Sequence, residues 1–326
     1  MTRLHSAHWS KPHWKQTFNS SFASHLVASH KSASRMTCHQ IGTDTLMTFI
    51  TSPANPRISK LHDLHTTRGR KKNGLFLMEG PHLLETLLDA DIVPAEVYYQ
   101  PALLQRTAKG RSLLARFMHT TNLPQERLVE VSERVIESIS EAQTSQGVVS
   151  VLPLDAFNPA RLRSQRPVVQ RPVLLIVDDL ADPGNMGTIL RTALATDVDA
   201  VLLTPNCVDC FSPKVVRSAA GAHVALPIEA DLSWSGIAEK VAMHCAGQTR
   251  VLLAEAGSPH LYFEQDLKSP FALIIGNETH GVSQEARALA TKTIAIPLAN
   301  RVESLNAAMA TGVVLYEAVR QRYVQG

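Results

Sequence analysis

The sequence predicts an α/β protein, with a C-terminal half built on a parallel sheet and a smaller α/β region ahead of it. Three observations carry this. Residues 173–178 and 271–275 are continuous apolar runs, the pattern of a parallel strand buried on both faces. From Val173 onward, strand-like and helix-like segments alternate, with helix starts marked at Asn185, Ser212-Pro213, Ser283 and Ser304. The chain has 326 residues, enough for two domains with sizeable cores.

Composition narrows the class further. Hydrophobic residues make up 44% and charged residues 19% of the chain, as in ordinary globular proteins. No run of eighteen apolar residues occurs, so no membrane-spanning helix is expected. The formal charge of +3 is concentrated at one end. Five of the 32 Lys/Arg (Arg3, Lys11, Lys15, Lys31, Arg35) but one of the 29 acids (Asp44) fall in residues 1–46, leaving 27 basic and 28 acidic residues. Global charge therefore gives no argument for a nucleic-acid partner, and any such argument rests on local patches. The four cysteines, Cys38, Cys207, Cys210 and Cys245, are too few for a disulfide scaffold and fit a reducing compartment. Cys207 and Cys210 have metal-like spacing but no second pair. Zinc would need two more ligands, for which His244 and Cys245 are the candidates, whereas free loop thiols need none.

Residues 1–46 are Ser-rich and hold six of the fourteen histidines, without hydrophobic periodicity. They are expected to be disordered. A transit peptide is one reading. An upstream start codon, with translation beginning at Met36 or Met47, is the preferred one, because patterned sequence begins abruptly after Met47. Asn55-Pro56 opens a helix whose buried face is Ile58, Leu61 and Leu64. Around it Arg57, Lys60, Arg68, Arg70, Lys71 and Lys72 face one acid, Asp63. This charge run is either a solvated face or a grip on phosphates. Strands are expected at 74–80, 95–99, 128–131 and 144–151, and helices at 81–90, 102–118 and 133–139, the last capped by Ser132. Four prolines mark 153–172 as a linker with a possible helical turn.

The C-terminal half continues with helix 186–196, strand 200–203, a helix after Ser212-Pro213 carrying Lys214 and Arg217, strand 223–228, helix 235–245, strand 250–254, helix 284–290 and strand 293–297. After Pro297 a polar loop leads to Ser304, the expected N-cap of the last helix. Leu305, Met309, Gly312, Tyr316 and Val319 recur at helical spacing and predict its buried face, and Arg320 and Arg322 sit at the end where the helix dipole favours cations.

Three strand–loop–helix junctions carry polar residues that ordinary caps do not need: Asp182 to Arg191, Ile275 to Gly281, and Ile296-Pro297 through Asn306. Each lies at the C-terminal end of an expected parallel strand, the edge where open α/β sheets bind ligands. Gly184, Gly187, Gly276 and Gly281 permit close backbone approach or positive φ. Arg191 is either half of a structural ion pair or a device for holding phosphate. No Ser–His–Asp spacing and no glycine-rich loop with Lys is present, which counts against nucleophilic and NTP hydrolysis.

These runs, in this order and spacing, resemble the three signature motifs of the SpoU (TrmH) family of RNA 2′-O-ribose methyltransferases. The segment from Asn55-Pro56 through Arg70 to Gly80 also resembles the ribosomal-protein-like substrate domain of many members. The resemblance covers roughly residues 50–320 and implies a SPOUT-type parallel sheet with a C-terminal trefoil knot, a homodimer, and S-adenosyl-L-methionine bound bent in the knot around Gly276, Ile296 and Leu305. It implies that Arg191 engages the RNA phosphate and helps remove the 2′-hydroxyl proton, with Asn185 as its partner residue. Glu278, Ser304 and Asn306 would position the ribose, and no metal is required. A guanidinium is a poor base at neutral pH, so deprotonation is the least direct of these assignments.

The expected organisation is an extension at 1–46, an RNA substrate-binding domain at 47–152, a linker at 153–172 and a methyltransferase domain at 173–326. The expected partner is structured RNA, ribosomal RNA before transfer RNA. The expected compartment is the cytoplasm, or the mitochondrion if residues 1–46 are a transit peptide. A non-catalytic ribosome-assembly factor on the same scaffold is the second reading, separable by whether S-adenosylmethionine binds. A nicotinamide oxidoreductase is the third, and the lack of G-x-G-x-x-G after residues 173–178 counts against it.

Overall fold

The computed structural model describes residues 49–119, 123–166, 171–244, 250–277, 281–300 and 302–323. The expectations for residues 1–46 lie outside them. The first element is β1 (Phe49–Ile50), followed by α1 (Pro56–Asp63) and α2 (Thr67–Asn73). Asn55 caps α1, accepting from the Arg57 amide at 2.9 Å, and Ile58, Leu61 and Leu64 are buried as the periodicity predicts. Next come β2 (Leu75–Glu79), α3 (Pro81–Asp89), β3 (Glu96–Tyr99), α4 (Pro101–Gln105), α5 (Ala108–His119), β4 (Leu128–Val131), α6 (Glu133–Ile139) and β5 (Val148–Pro153). The helix expected over 102–118 is thus two. Thr107 breaks it, its hydroxyl accepting from the Gly110 amide at 3.0 Å to start α5. The five strands form one sheet in the order β1-β4-β3-β5-β2, with β5 antiparallel to both neighbours.

The proline-rich stretch after β5 is more structured than a bare linker. Residues Leu154–Phe157 form a 3-10 turn and α7 (Pro159–Ser164) follows. Phe157 is buried edge-on against Phe76. The C-terminal half runs β6 (Val173–Val177), α8 (Pro183–Ala195), β7 (Ala200–Leu203), α9 (Pro213–Ser218), β8 (Ile228–Glu229), α10 (Trp234–His244), β9 (Val251–Ala254), β10 (Phe271–Ile275), α11 (Gln284–Leu289), β11 (Lys292–Ile294) and α12 (Ala307–Tyr323). All six strands are parallel, in the order β11-β9-β10-β6-β7-β8. Strands β6 and β10 are buried at every residue, as their unbroken apolar runs require. Because β6 leads to β7 on one side and pairs with β10 on the other, the strand order reverses there, which is where a ligand crevice opens.

Three elements of the C-terminal half also differ from expectation. The strand expected over 223–228 is a 3-10 turn at Ala222–Val224, and pairing is confined to Ile228–Glu229. The left-handed backbone at Ala220 and Gly221 turns the chain before it. Strand β11 stops at Ile294, and Ala295 instead bridges Leu261. The last helix has the opposite buried face. Leu305, Met309 and Tyr316 are 37%, 62% and 55% exposed, while Ala307, Ala308, Thr311, Val314, Leu315 and Ala318 are buried. The small residues let α12 lie close against α8, where Gly312 meets Thr192, and the large apolar side chains are left pointing outward.

The two sheets share a packed seam. Val216 of α9 belongs to the core of the N-terminal sheet. Phe211 stacks at a tilt on Phe76 of β2, 4.9 Å between ring centres. Arg70 of α2 is 2% exposed and reaches Asp209 through two nitrogens, at 2.6 and 3.0 Å.

Candidate active site

The site is assembled at the carboxyl edge of the parallel sheet. As β6 ends, Asp178 is buried and its carboxylate accepts from the Ser283 amide at 2.8 Å. Asp179 takes a left-handed conformation, and its carbonyl accepts from the Asn277 side chain at 2.7 Å. These two bonds tie the first junction to the second. In the second junction, Asn277 and Gly281 exchange backbone hydrogen bonds at 2.9 and 3.0 Å. A Cβ at Gly276 would lie 2.3 Å from the Val282 side chain and 2.6 Å from the Gly281 carbonyl oxygen, so only glycine fits at this position. Glu278, together with Thr279 and His280, lies outside the described residues.

The first and third junctions meet through two asparagines. Helix α8 starts at Pro183, and its N-cap is Asp182, whose carboxylate accepts from the Asn185 amide at 2.7 Å. Asn185 is therefore inside the first turn and does not cap it. Its side-chain oxygen accepts from Asn306 at 2.9 Å. Asn306, not Ser304, caps the last helix, its side-chain oxygen accepting from the Ala308 and Met309 amides at 3.0 and 3.2 Å. Both residue types suit an N-cap, but the helix begins two residues later than Ser304 alone would suggest. One Asn306 side chain thus starts α12 and ties it to α8.

Between the ends of β9, β10 and β11 and the start of α12 lies a cavity of about 210 Å³. Gly276, Ile296 and Leu305, the three residues expected to hold the cofactor, all line it, as does Ser304. Asn306 sits between two lining residues, Leu305 and Ala307. Apolar walls from Ile275, Ile294, Ile296 and Leu298 accompany polar groups from Asn277, Ser304 and the ion-paired Glu255 and Arg287. This mixture suits a ligand with a flat apolar part and charged or hydroxylated ends. Glu255 and Arg287 were not anticipated, although Glu255 follows β9 immediately and the same edge rule would have found it.

Arg191 is exposed and lies outside the cavity lining. It sits one helical turn beyond Gly187, the residue of α8 that abuts Ser218 and Val215 of α9. Its side of the helix therefore borders α9, while Asn185 faces α12.

Of the six cations expected to grip phosphates, Arg70 is a correction. It is buried and held by Asp209, the Leu64 carbonyl at 2.8 Å and Thr67 at 3.0 Å. Arg57 pairs with Glu96 at 2.6 Å and Lys71 with Asp231 at 2.9 Å. Lys60, Arg68 and Lys72 are exposed with no acid partner among the described residues. The two described cysteines also have structural surroundings. Cys210 is buried, which pushes its thiol far above the usual range. Cys207 donates to the Val177 carbonyl. His244 bonds back to the Lys240 carbonyl, and among the described residues no group of three His, Cys, Asp or Glu is placed to hold a metal.

A parallel sheet whose carboxyl edge opens into a cavity lined by Gly276 and Gly281 belongs to the α/β proteins that bind ligands at that edge. The profile of the SpoU rRNA Methylase family matches residues 172–316, and that of the MRM3-like substrate binding domain matches residues 55–150. An uncharacterised tRNA/rRNA methyltransferase of Synechocystis is 37% identical over 281 residues, 84% of this chain and 94% of that protein. The mitochondrial rRNA methyltransferase 3A of Danio rerio is 32% identical over 307 residues, 81% of this chain and 68% of that protein. Among solved structures, the SpoU methyltransferase AviRb from Streptomyces viridochromogenes in complex with AdoMet superposes with a TM-score of 0.71 at 27% identity, over 82% of this chain and 98% of that one. The chain belongs to the SpoU family of S-adenosylmethionine-dependent RNA 2′-O-ribose methyltransferases.

Proposed function

We propose that this protein methylates a ribose 2′-hydroxyl in ribosomal RNA, with residues 47–152 holding the RNA, 153–172 as the connection, and 173–326 carrying the reaction. The observation that carries the reading is the meeting of the three junctions: Asn185 bonded to Asn306 beside a cavity lined by Gly276, Ile296 and Leu305. S-adenosylmethionine, when bound there, supplies an electrophilic methyl group. The apolar walls fit its adenine, and Gly276, Ile296 and Leu305 are the residues that would hold it. The protein's own part is positional. A ribose hydroxyl is a poor nucleophile and needs orientation and electrostatic help. Asn185, Glu278, Ser304 and Asn306 shape the ribose site, and the Arg191 guanidinium takes the adjacent phosphate.

Several finer assignments belong to the same proposal. The SPOUT-type trefoil knot is supported by the path of the C-terminal chain, which pairs as β11 at the sheet's outer edge and then returns as α12 against α8 and β10. A homodimer is supported by the exposed Met309, Tyr316 and Tyr323, which recur every seven residues along α12, since protein interfaces cover apolar faces of this kind. Transfer RNA is the second substrate reading, favoured by the tRNA/rRNA name of the Synechocystis relative. The cytoplasm is the proposed compartment, and the mitochondrial name of the Danio rerio relative favours the alternative.

The test is a map of 2′-O-methyl sites on total RNA with and without the gene, together with methyl transfer by Arg191→Ala. The expected result is one lost site, and a rate reduced by about a hundredfold or more with cofactor affinity unchanged. Full activity of Arg191→Ala would remove the role given to that residue, and an unchanged methylation map would overturn the substrate assignment.

A further inference from the structure

The carboxyl edge of the six-stranded sheet extends well past the cavity. Starting from the cavity at β9, β10 and β11, the edge passes the Asn185 junction after β6, then α9 after β7, then Asp231 after β8. There the N-terminal sheet's helix α2 is tied on, Arg70 to Asp209 and Lys71 to Asp231. Helix α9 follows Asp209 directly in the chain and abuts α8 through Ser218.

The charge on α9 is one-sided. Val215, Val216 and Ala219 are buried, while Lys214 and Arg217 are exposed. Neither has an acid partner among the described residues, in contrast to Arg70 and Lys71 beside them. The same helix places Ser218 against the start of α8, its hydroxyl reaching the Pro183 carbonyl at 3.3 Å, and Gly187 fits beneath it. Arg191 lies one turn further along α8 on the side that borders α9. Lys214 and Arg217 are exposed on the helix that Gly187 abuts, and Arg191 is exposed one turn beyond Gly187. Arg68 and Lys72, exposed on α2, lie across the seam. The part of the chain beyond residue 46 is near neutral overall, so this run of unpaired cations along one edge is a local feature of the surface.

We propose that Lys214 and Arg217 bind backbone phosphates of the substrate RNA and lead it along this edge, from α2 past α9 to the ribose site. The proposal rests on the RNA-methyltransferase reading and adds the path that the RNA takes. Phosphate contacts of this kind position a nucleic acid without reading its sequence, so the loss should fall on affinity for any structured RNA and not on nucleotide choice.

The experiment measures binding of unmodified ribosomal RNA by the full chain and by K214E/R217E across a salt series, with S-adenosylmethionine affinity by calorimetry in parallel. Removing two phosphate contacts should make the slope of log affinity against log salt shallower by about 1.5. RNA affinity should fall at least tenfold at low salt, and cofactor affinity should stay the same. On the wild-type protein, RNA should protect Lys214 from acetylation and leave Lys268, before β10 at the opposite edge, unprotected. Equal affinity and slope in the variant, or an unprotected Lys214 in a protein that binds RNA, would overturn the proposal. Wild-type protein that binds RNA through Lys214 but takes up no S-adenosylmethionine would overturn the methyltransferase reading and leave this path standing.

Discussion

Replacing Arg70 with methionine separates a structural cation from an RNA-binding one. The Arg70 side chain is 3% exposed and that of its partner Asp209 is 19%. Removing one member of a buried ion pair costs about 3–5 kcal/mol, because the other is left uncompensated. Asp209 keeps some contact with water, so the lower end, about 3 kcal/mol, applies. The Leu64 carbonyl also loses its donor. At about 2.1 cal/mol/K of unfolding entropy per residue, that corresponds for a protein of this size to a melting temperature lower by roughly 4–5 °C. The assay is thermal melting of Arg70→Met, Asp209→Asn and the double variant, with RNA affinity measured below the transition. Arg70→Met should cost clearly less in the Asp209→Asn background, and RNA affinity of the folded variant should stay near that of the wild type. A variant that melts like the wild type but has lost RNA binding would refute the burial argument and return Arg70 to the phosphate-gripping set.

Two further predictions concern the site and the seam. Asn306→Ala should lose about 1 kcal/mol of stability as a missing cap, and methyl transfer should drop about tenfold to a hundredfold as the tie to Asn185 disappears. Asn306→Ser should regain the stability and not the rate, and a serine variant with full activity would show the tie to be dispensable. His223 is fully buried at the seam, its Nε2 bonded to the Cys210 carbonyl at 2.7 Å. Burial lowers its pKa from 6.5 to about 4, opposed by that backbone bond and by Asp209. The unfolded chain takes up the proton first, so the stabilisation is complete above pH 6.5 and is lost as pH falls towards 4, amounting to about 3 kcal/mol. Melting temperatures of the wild type and His223→Gln should diverge in slope across that window, and parallel curves would contradict the assignment.

The parts of this molecule legible in its sequence are those that depend on local pattern. The apolar runs of β6 and β10 announced buried parallel strands, and their ends marked the edge where Gly276, Ile296 and Leu305 gather. What local pattern does not carry is the identity of a distant partner. Arg70 reads like its neighbours in a charge run, and only Asp209, 139 residues further on, makes it a buried residue. Helix α12 shows the same limit. Its large apolar residues suggested the inward face, yet close packing on α8 called for small ones, and the periodicity of a helix does not say which of two apolar stripes the chain itself will cover. Ser304 and Asn306 can each cap a helix, and local pattern does not choose between them: the cap is Asn306, which is also bonded to Asn185.

The central claim is that the crevice at the carboxyl edge of β9, β10 and β11 receives S-adenosylmethionine. Calorimetric titration of the purified protein with that cofactor, beside Ala310→Phe, whose ring would fill the cavity that Ala310 lines, tests it most directly. Saturable binding by the wild type, absent in a normally melting Ala310→Phe, is the predicted result. No heat from the wild type, or undiminished binding by the filled variant, would contradict it.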